Sequence, residues 1–174
     1  MNIRLIKQKD SSQFLQLIET NRHRLLPYFP VTIKDVVDLK SAKRFVNFKI
    51  DQSYHKELYY FLFFDENDTL IGNVTAKNFD WEVPKCELSY FIDAGFEGKG
   101  YASRALDFLI RYCFESLGMK KLFLRIAPGN DRSKKMALKK NFQLEGVHKM
   151  DFRLGTGELV DVEYYALLRT DFVS

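Results

Sequence analysis

The stretch "CELSYFIDAGFEGKGYASRAL" (86–106) decides how the rest of the chain is read. It opens on an apolar, strand-like run and, from Ala102 onward, takes on the apolar spacing of a helix. Between the two, Gly95, Gly98 and Gly100 fall within six positions. Glycine is costly inside either element because it loses the most backbone freedom on folding, so three at one junction need a reason. A strand that passes through such a turn into a helix leaves several backbone N–H groups free. Together with the helix dipole these make an anion site. Glycines let the backbone approach a phosphate with no Cβ in the way, and Lys99 adds a cation between two of them. A phosphate or pyrophosphate cradle at residues 95–103 answers the question, and so does a tight turn with no ligand.

Two familiar nucleotide loops do not fit. A dinucleotide fingerprint needs a third glycine where Ser103 stands, and an acid about 20 positions on, where "KKLFLRIAP" (120–128) has none. A Walker loop, Gly-x-x-x-x-Gly-Lys-Ser/Thr, is absent.

The chain has 174 residues, enough for a single domain, which is the expected organisation over residues 1–174. Hydrophobic residues make up 46% and charged residues 29%, a globular balance and not a disordered one. The longest apolar run, "LYYFLFF" (58–64), is far short of the ~20 residues that span a bilayer. The first residues, "MNIRLIKQKDSS", carry no apolar signal core. Cys86 and Cys113 are the only cysteines, without metal or CxxC spacing, which suits a reducing compartment; Cys113 falls on an apolar helix face as a core residue. A cytoplasmic protein without membrane or metal partners is expected. The net charge of +4 is too modest and scattered for nucleic-acid binding, and compatible with an anionic ligand.

Residues 2–7 alternate as a strand. Residues 10–26 open with an Asp/Ser cap signal and carry Phe14, Leu17, Ile18 and Leu25 as a helical stripe, broken by "PYFP" (27–30). Residues 33–50 read as a second amphipathic helix. "LYYFLFF" and "TLIGNVTAKNF" (69–79) flank the turn "DENDT" (65–69) as a hairpin, and "CELSYFI" (86–92) follows. A helix over 102–117 ends at Gly118; then come a buried-type strand (121–127), a short helix (131–141) and two strands around "GTG" (155–157). This mixed order predicts an α+β domain.

At this point the sequence resembles the GNAT N-acetyltransferase superfamily. "GKGYAS" (98–103) is similar to its acetyl-CoA pyrophosphate loop, Gln/Arg-x-x-Gly-x-Gly/Ala, with Gly95 at the first position. "CELSYFID" (86–93) resembles the strand before that loop. "NDRSKKMALKKNFQLEG" (130–146) resembles the Asn-x-x-Ser…Asn/Gly-Phe…Glu-Gly stretch, with Asn141 for the commoner glycine. "GELVDVEYYALLRTDF" (157–172) and "RLLPYFP" (24–30) resemble segments of the ribosomal-protein N-terminal acetyltransferase (RimJ/RimL-type) branch, although Arg104 replaces that branch's usual glutamate. The five segments cover nearly the whole chain in order. The resemblance implies a mixed, mostly antiparallel central sheet of about seven strands flanked by about four helices.

It also implies residue roles. Backbone N–H groups of Gly98, Lys99, Gly100, Tyr101 and Ala102, with the Ser103 hydroxyl, would bind the pyrophosphate of acetyl-CoA. The strand at Phe91 and Ile92 would pair with the pantetheine arm, and Asn130 would hydrogen-bond it. Ser133 matches the serine that protonates the departing thiolate; the same position suits a helix cap. Glu87, Asp151 and Asp161 stand at acidic positions of the branch, where each is either a general base or an ordinary ion pair. Lys134, Lys135, Lys139 and Lys140, with Arg104 nearby, offer a partner for the 3′-phosphate of CoA or a solvated helix face.

The implied chemistry is attack of an amine on a thioester through a tetrahedral intermediate, with departure of CoA thiolate. An α-amine with a pKa of about 8 is roughly a tenth neutral at pH 7, so positioning supplies much of the rate. His23, His55 and His148 form no triad pattern with a cysteine or serine. The acceptor segment, about Arg22 to Asp35, is aromatic and mildly basic, which disfavours polycations. A protein N-terminal α-amine is the favoured acceptor. A small-molecule amine (polyamine or antibiotic), a non-catalytic acyl-CoA sensor and an interaction module remain open, as does oligomeric state, a homodimer included.

Overall fold

The computed structural model describes residues 1–172. Seven strands form one sheet in the order β1-β2-β3-β4-β5-β7-β6. They are β1 (Asn2–Leu5), β2 (Tyr59–Phe64), β3 (Leu70–Asp80), β4 (Lys85–Ile92), β5 (Lys121–Ile126), β6 (Gln143–Arg153) and β7 (Leu159–Leu168). Every neighbouring pair is antiparallel except β4–β5, which is parallel. Five helices accompany them: α1 (Ser11–Leu25), α2 (Pro30–Asp35), α3 (Leu39–Tyr54), α4 (Tyr101–Arg111) and α5 (Asp131–Lys139).

The sheet is covered on both faces, which explains why β2 is buried at every residue and reads as an unbroken apolar run. On one face, Phe14 and Ile18 of α1 and Phe45 and Val46 of α3 pack on Leu62, Phe64 and Phe91. On the other, Leu106, Leu109 and Ile110 of α4 pack on Phe61, Val74 and Leu88. The helix continues past Arg111 as a five-residue π-helical turn, Tyr112–Ser116, which buries Cys113 and Phe114, and Gly118 follows at φ +70.

The helix expected over 33–50 is two helices, which raises the count from about four to five. Pro30 sits at the first position of α2, where its missing N–H costs nothing. Val36 then turns extended, and Asp38 starts α3 with a reciprocal cap: Ser41 N–H donates to Asp38 Oδ1 at 2.6 Å and Asp38 N–H donates to Ser41 Oγ at 2.9 Å. No helix among the described residues is long and apolar enough to cross a membrane.

Candidate active site

The parallel pair sets the site. β4 and β5 are in register only at Lys85–Lys121, Cys86–Leu122 and Glu87–Phe123. Beyond Glu87 each strand follows its other neighbour: β4 stays with β3 as far as Ile92 opposite Gly72, and β5 stays with β7 as far as Ile126 opposite Glu163. The two edges therefore part, and the β5-facing edge of residues 88–92, Phe91 and Ile92 among them, has no strand partner among the described residues. A cleft of about 110 Å³ opens there, lined by Tyr28, Phe29, Glu87, Tyr90, Arg125 and Ser133 among others. Phe29 reaches it from the aromatic-proline segment and packs edge-on against Phe91.

The carboxylates converge on one cation. Glu87, 4% exposed, accepts from Asn78 Nδ2 at 2.6 Å and from Arg125 Nε at 3.1 Å, with Lys77 Nζ at 3.3 Å. Arg125 Nη1 lies 3.5 Å from Asp151 Oδ2, which Tyr164 Oη approaches at 3.4 Å. Burial alone would lower the pKa of Arg125, but the adjacent Glu87 outweighs it and holds the guanidinium above its ordinary value. Asp161 sits apart, accepting from Lys149 Nζ and the Met150 N–H, which hold its carboxyl below the usual range.

Ser133 lies in the first turn of α5, and of the two roles open to it the cap is taken by another residue. The cap is Asn130, whose side chain accepts from the Ser133 N–H at 3.2 Å. Ser133 Oγ is thereby left to the cleft, 3.5 Å from Tyr90 Oη. Burial pushes the Tyr90 phenol up, and the Ser133 hydroxyl offsets part of that. Asn130 Oδ1 spends one of its two lone pairs on the cap, which leaves Nδ2 and the second lone pair for a ligand.

The glycine junction follows β4. Asp93 Oδ1 accepts from the Gly95 N–H at 2.8 Å, while Asn21 Nδ2 of α1 donates to Asp93 Oδ2 at 2.6 Å and Asn21 Oδ1 accepts from the Ala94 N–H at 3.1 Å. Gly98 and Gly100 take φ +74 and +81, and a Cβ at either would meet nothing within 4 Å beyond its own chain neighbours among the described residues. The N–H groups of Gly98, Lys99 and Gly100 find no protein acceptor among the described residues, and Tyr101, Ala102 and Ser103 open α4, whose first turn has no carbonyl behind it. This open, donor-lined concavity fits a pyrophosphate. Lys99 does not face it as expected: its Nζ donates to Gly95 O at 3.1 Å and lies over the Phe96 ring. The Gln/Arg-x-x-Gly-x-Gly/Ala pattern also fits from Glu97 through Gly100 to Ala102, which puts an acid at its first position.

The basic stretch of α5 is largely committed. Lys134 pairs with Glu163 at 2.7 Å and Lys140 with Asp107 at 2.6 Å, whereas Lys135 and Lys139 are exposed. Arg104 lies over the Tyr101 ring. Four residues of the site went unnoticed in sequence: Asn21, Tyr90, Arg125 and Glu97. Asn21 and Arg125 carried a signal, a polar residue on the apolar stripe of a helix and a cation in a buried-type strand.

Residues 1–143 match the acetyltransferase (GNAT) domain family. An uncharacterized N-acetyltransferase of Bacillus licheniformis is 33% identical over 107 residues, which span 62% of this chain and 60% of that protein. The ribosomal protein uS5-alanine N-acetyltransferase of Escherichia coli is 28% identical over 178 residues, covering 98% of this chain and 88% of that protein. RimL, a ribosomal L7/L12 α-N-protein acetyltransferase solved with coenzyme A, shares the fold with a TM-score of 0.89 at 20% identity, over 98% of this chain and 94% of that one.

Proposed function

The chain belongs to the GNAT acetyltransferase family, and from that premise we propose that it moves an acetyl group from acetyl-CoA to a protein N-terminal α-amine, in the cytoplasm, as one domain over residues 1–174. The observation that carries this reading is the parting of β4 and β5, which opens a cleft lined by Glu87, Arg125 and Ser133, with Asp151 3.5 Å behind Arg125 and a donor-lined glycine turn at the end of β4. The N–H groups of Gly98 to Ala102 and the Ser103 hydroxyl hold the pyrophosphate, and the open edge of residues 88–92 holds the arm. Bound acetyl-CoA supplies an acyl group on a good leaving thiol.

The chain's own residues do the rest. Phe29, packed on the buried Phe91, excludes water from one side of the cleft. Glu87 fixes Arg125, and Arg125 in turn fixes Asp151. Asp151, with only contacts of 3.4 Å or more to its Oδ2, is the carboxylate free to take a proton from the amine, directly or through water. Ser133 Oγ gives a proton on the leaving side, and Tyr90 Oη stands next in line behind it.

The acceptor follows from charge. Lys77 and Arg125 at the cleft neutralise its acids, so a polycation finds no surplus negative charge, whereas a single α-amine on a peptide needs none. The uS5-alanine enzyme and RimL act on protein N-termini, which supports the same choice. The test is thiol release from acetyl-CoA with a panel of amino-terminal peptides, spermidine and aminoglycosides. Turnover with a peptide is expected. Turnover confined to the small amines would transfer the activity to them, and thiol release with none, despite binding of acetyl-CoA, would make the protein a sensor.

A further inference from the structure

We infer that Arg24 and Arg132 are the cations that meet the pyrophosphate of the acyl-CoA, and that Glu97 occupies both of them until it arrives. The inference rests on the reading of residues 98–103 as the pyrophosphate cradle. Glu97 is the last residue before the glycines, and its carboxylate accepts from Arg24 on one oxygen and from Arg132 on the other. Arg24 belongs to α1, which packs on one face of the sheet; Arg132 lies in the first turn of α5, which packs on the opposite face. The triad is thus a strap across the end of the splay between β4 and β5.

Several lysines are committed elsewhere, whereas Arg24 and Arg132 both meet at the residue before the glycines. Lys99 is turned back on its own loop, and Lys134 and Lys140 have carboxylate partners elsewhere. Arg24 is also fixed from behind: its Nη1 donates to Asn21 Oδ1 at 3.0 Å, and Asn21, 1% exposed, holds the turn at Asp93 and Ala94. Arg24 therefore keeps its place when Glu97 leaves. Guanidinium forks suit phosphate oxygens as well as a carboxylate. Arg132 is 76%, Arg24 39% and Glu97 27% exposed at the side chain, so both pairs are reached by solvent and open to exchange with an anion. The exchange is ionic only: the pyrophosphate takes the two guanidinium groups, and Glu97 passes to solvent with its charge.

A four-protein binding cycle tests this, with CoA as the titrant and acetyl-pantetheine, which lacks the pyrophosphate, as its control. The proteins are the unsubstituted chain, Glu97→Gln, Arg24→Gln/Arg132→Gln and the triple variant, each checked by its melting temperature without ligand. Arg24→Gln/Arg132→Gln should weaken CoA at least tenfold, flatten its salt dependence, and leave acetyl-pantetheine unchanged. Glu97→Gln should tighten CoA about threefold or more when both arginines are present, and less than twofold when they are absent, because its effect is the release of those arginines. A larger gain without the arginines would make Glu97 a plain repulsive charge with counter-ions, and would overturn the inference. So would CoA affinity that ignores the arginines. No CoA binding by the unsubstituted chain would overturn the cradle reading, and this inference with it.

Discussion

Ser133→Ala separates the two jobs open to that hydroxyl, and the structure sets what each predicts. The helix cap belongs to Asn130, so removing the serine oxygen leaves the Ser133 N–H bonded as before. Among the described residues the side-chain hydrogen-bond partner of Ser133 Oγ is Tyr90 Oη at 3.5 Å, longer than the usual 2.5–3.0 Å of an O–H···O bond. Little stability is therefore at stake, about 0.5 kcal/mol or less, which for a chain of this size shifts the melting temperature by about 2 °C at most. Asn130→Ala removes the cap instead, at about 1 kcal/mol and roughly 2–4 °C. Catalysis should show the opposite ranking. A positioned proton donor contributes at least about 10²-fold, so Ser133→Ala should lower kcat and kcat/KM together by about that factor, the signature of an interaction made only in the transition state. CoA affinity should hold. The deficit should shrink with an acyl donor whose leaving thiol is more acidic, since that thiolate needs the proton less. The assay is steady-state thiol release with a working peptide acceptor beside a thermal melt of the same preparation. A kcat within twofold of the parent would refute the acid role, and a large fall in melting temperature would show that the cap had been assigned to the wrong residue.

Three further outcomes follow from particular contacts. Gly100 sits at φ +81, where any L side chain costs about 1–2 kcal/mol, and its Cβ would enter the open concavity; Gly100→Val should fold, melt lower, and lose most of the acetyl-CoA-dependent rise in melting temperature, and an undiminished rise would remove the loop from the site. A Cβ on Gly155, at the tip of the β6–β7 turn, would stand 2.0 Å from the backbone oxygen of Leu26, so Gly155→Ala should lift the hairpin, displace Phe152 from the cleft, and raise the acceptor KM by about tenfold while CoA titrations stay unchanged. Burial alone would raise the pKa of Asp10, but two 2.7 Å bonds from Arg4 and one from the Lys7 N–H outweigh it and hold the carboxyl below its ordinary value. Its contribution is full above the unfolded pKa of about 3.9 and fades as pH falls below that. Asp10→Asn should cost about 1.5–3 kcal/mol at pH 7 in urea titrations, with a gap that narrows below about pH 4; a gap that widens in acid would reverse the sign of the reasoning.

What was legible in the sequence depended on how far away the deciding partner lies. The alternation of β1, the unbroken apolar run of β2 and the stripes of α1 and α4 are local patterns, and each element forms where its own residues place it. The break between α2 and α3 was local too, in Pro30 and the Asp38-x-x-Ser41 pair, yet the apolar spacing of residues 33–50 runs through it and hides it. Caps decide where a helix starts, and a continuous stripe says only which face is buried.

The site divides along the same line. The glycines at 98 and 100 announce their backbone requirement by themselves, because few other residues tolerate φ near +80. The charges do not. Lys134 looks available on its helix until Glu163, 29 residues on, claims it, and Lys140 until Asp107, 33 residues back, does the same. Arg24 meets Glu97 from 73 residues away and Arg132 meets it from 35, so the strap exists only once both faces of the sheet are assembled. A charged residue in a sequence carries a sign but no partner, and the fold decides which cations are spent on structure and which are held in solvent-reached pairs where an anionic ligand can take them over. On that criterion the cations proposed for the pyrophosphate are arginines on two separate helices, and the side chain of Lys99, set between the glycines, braces its own loop.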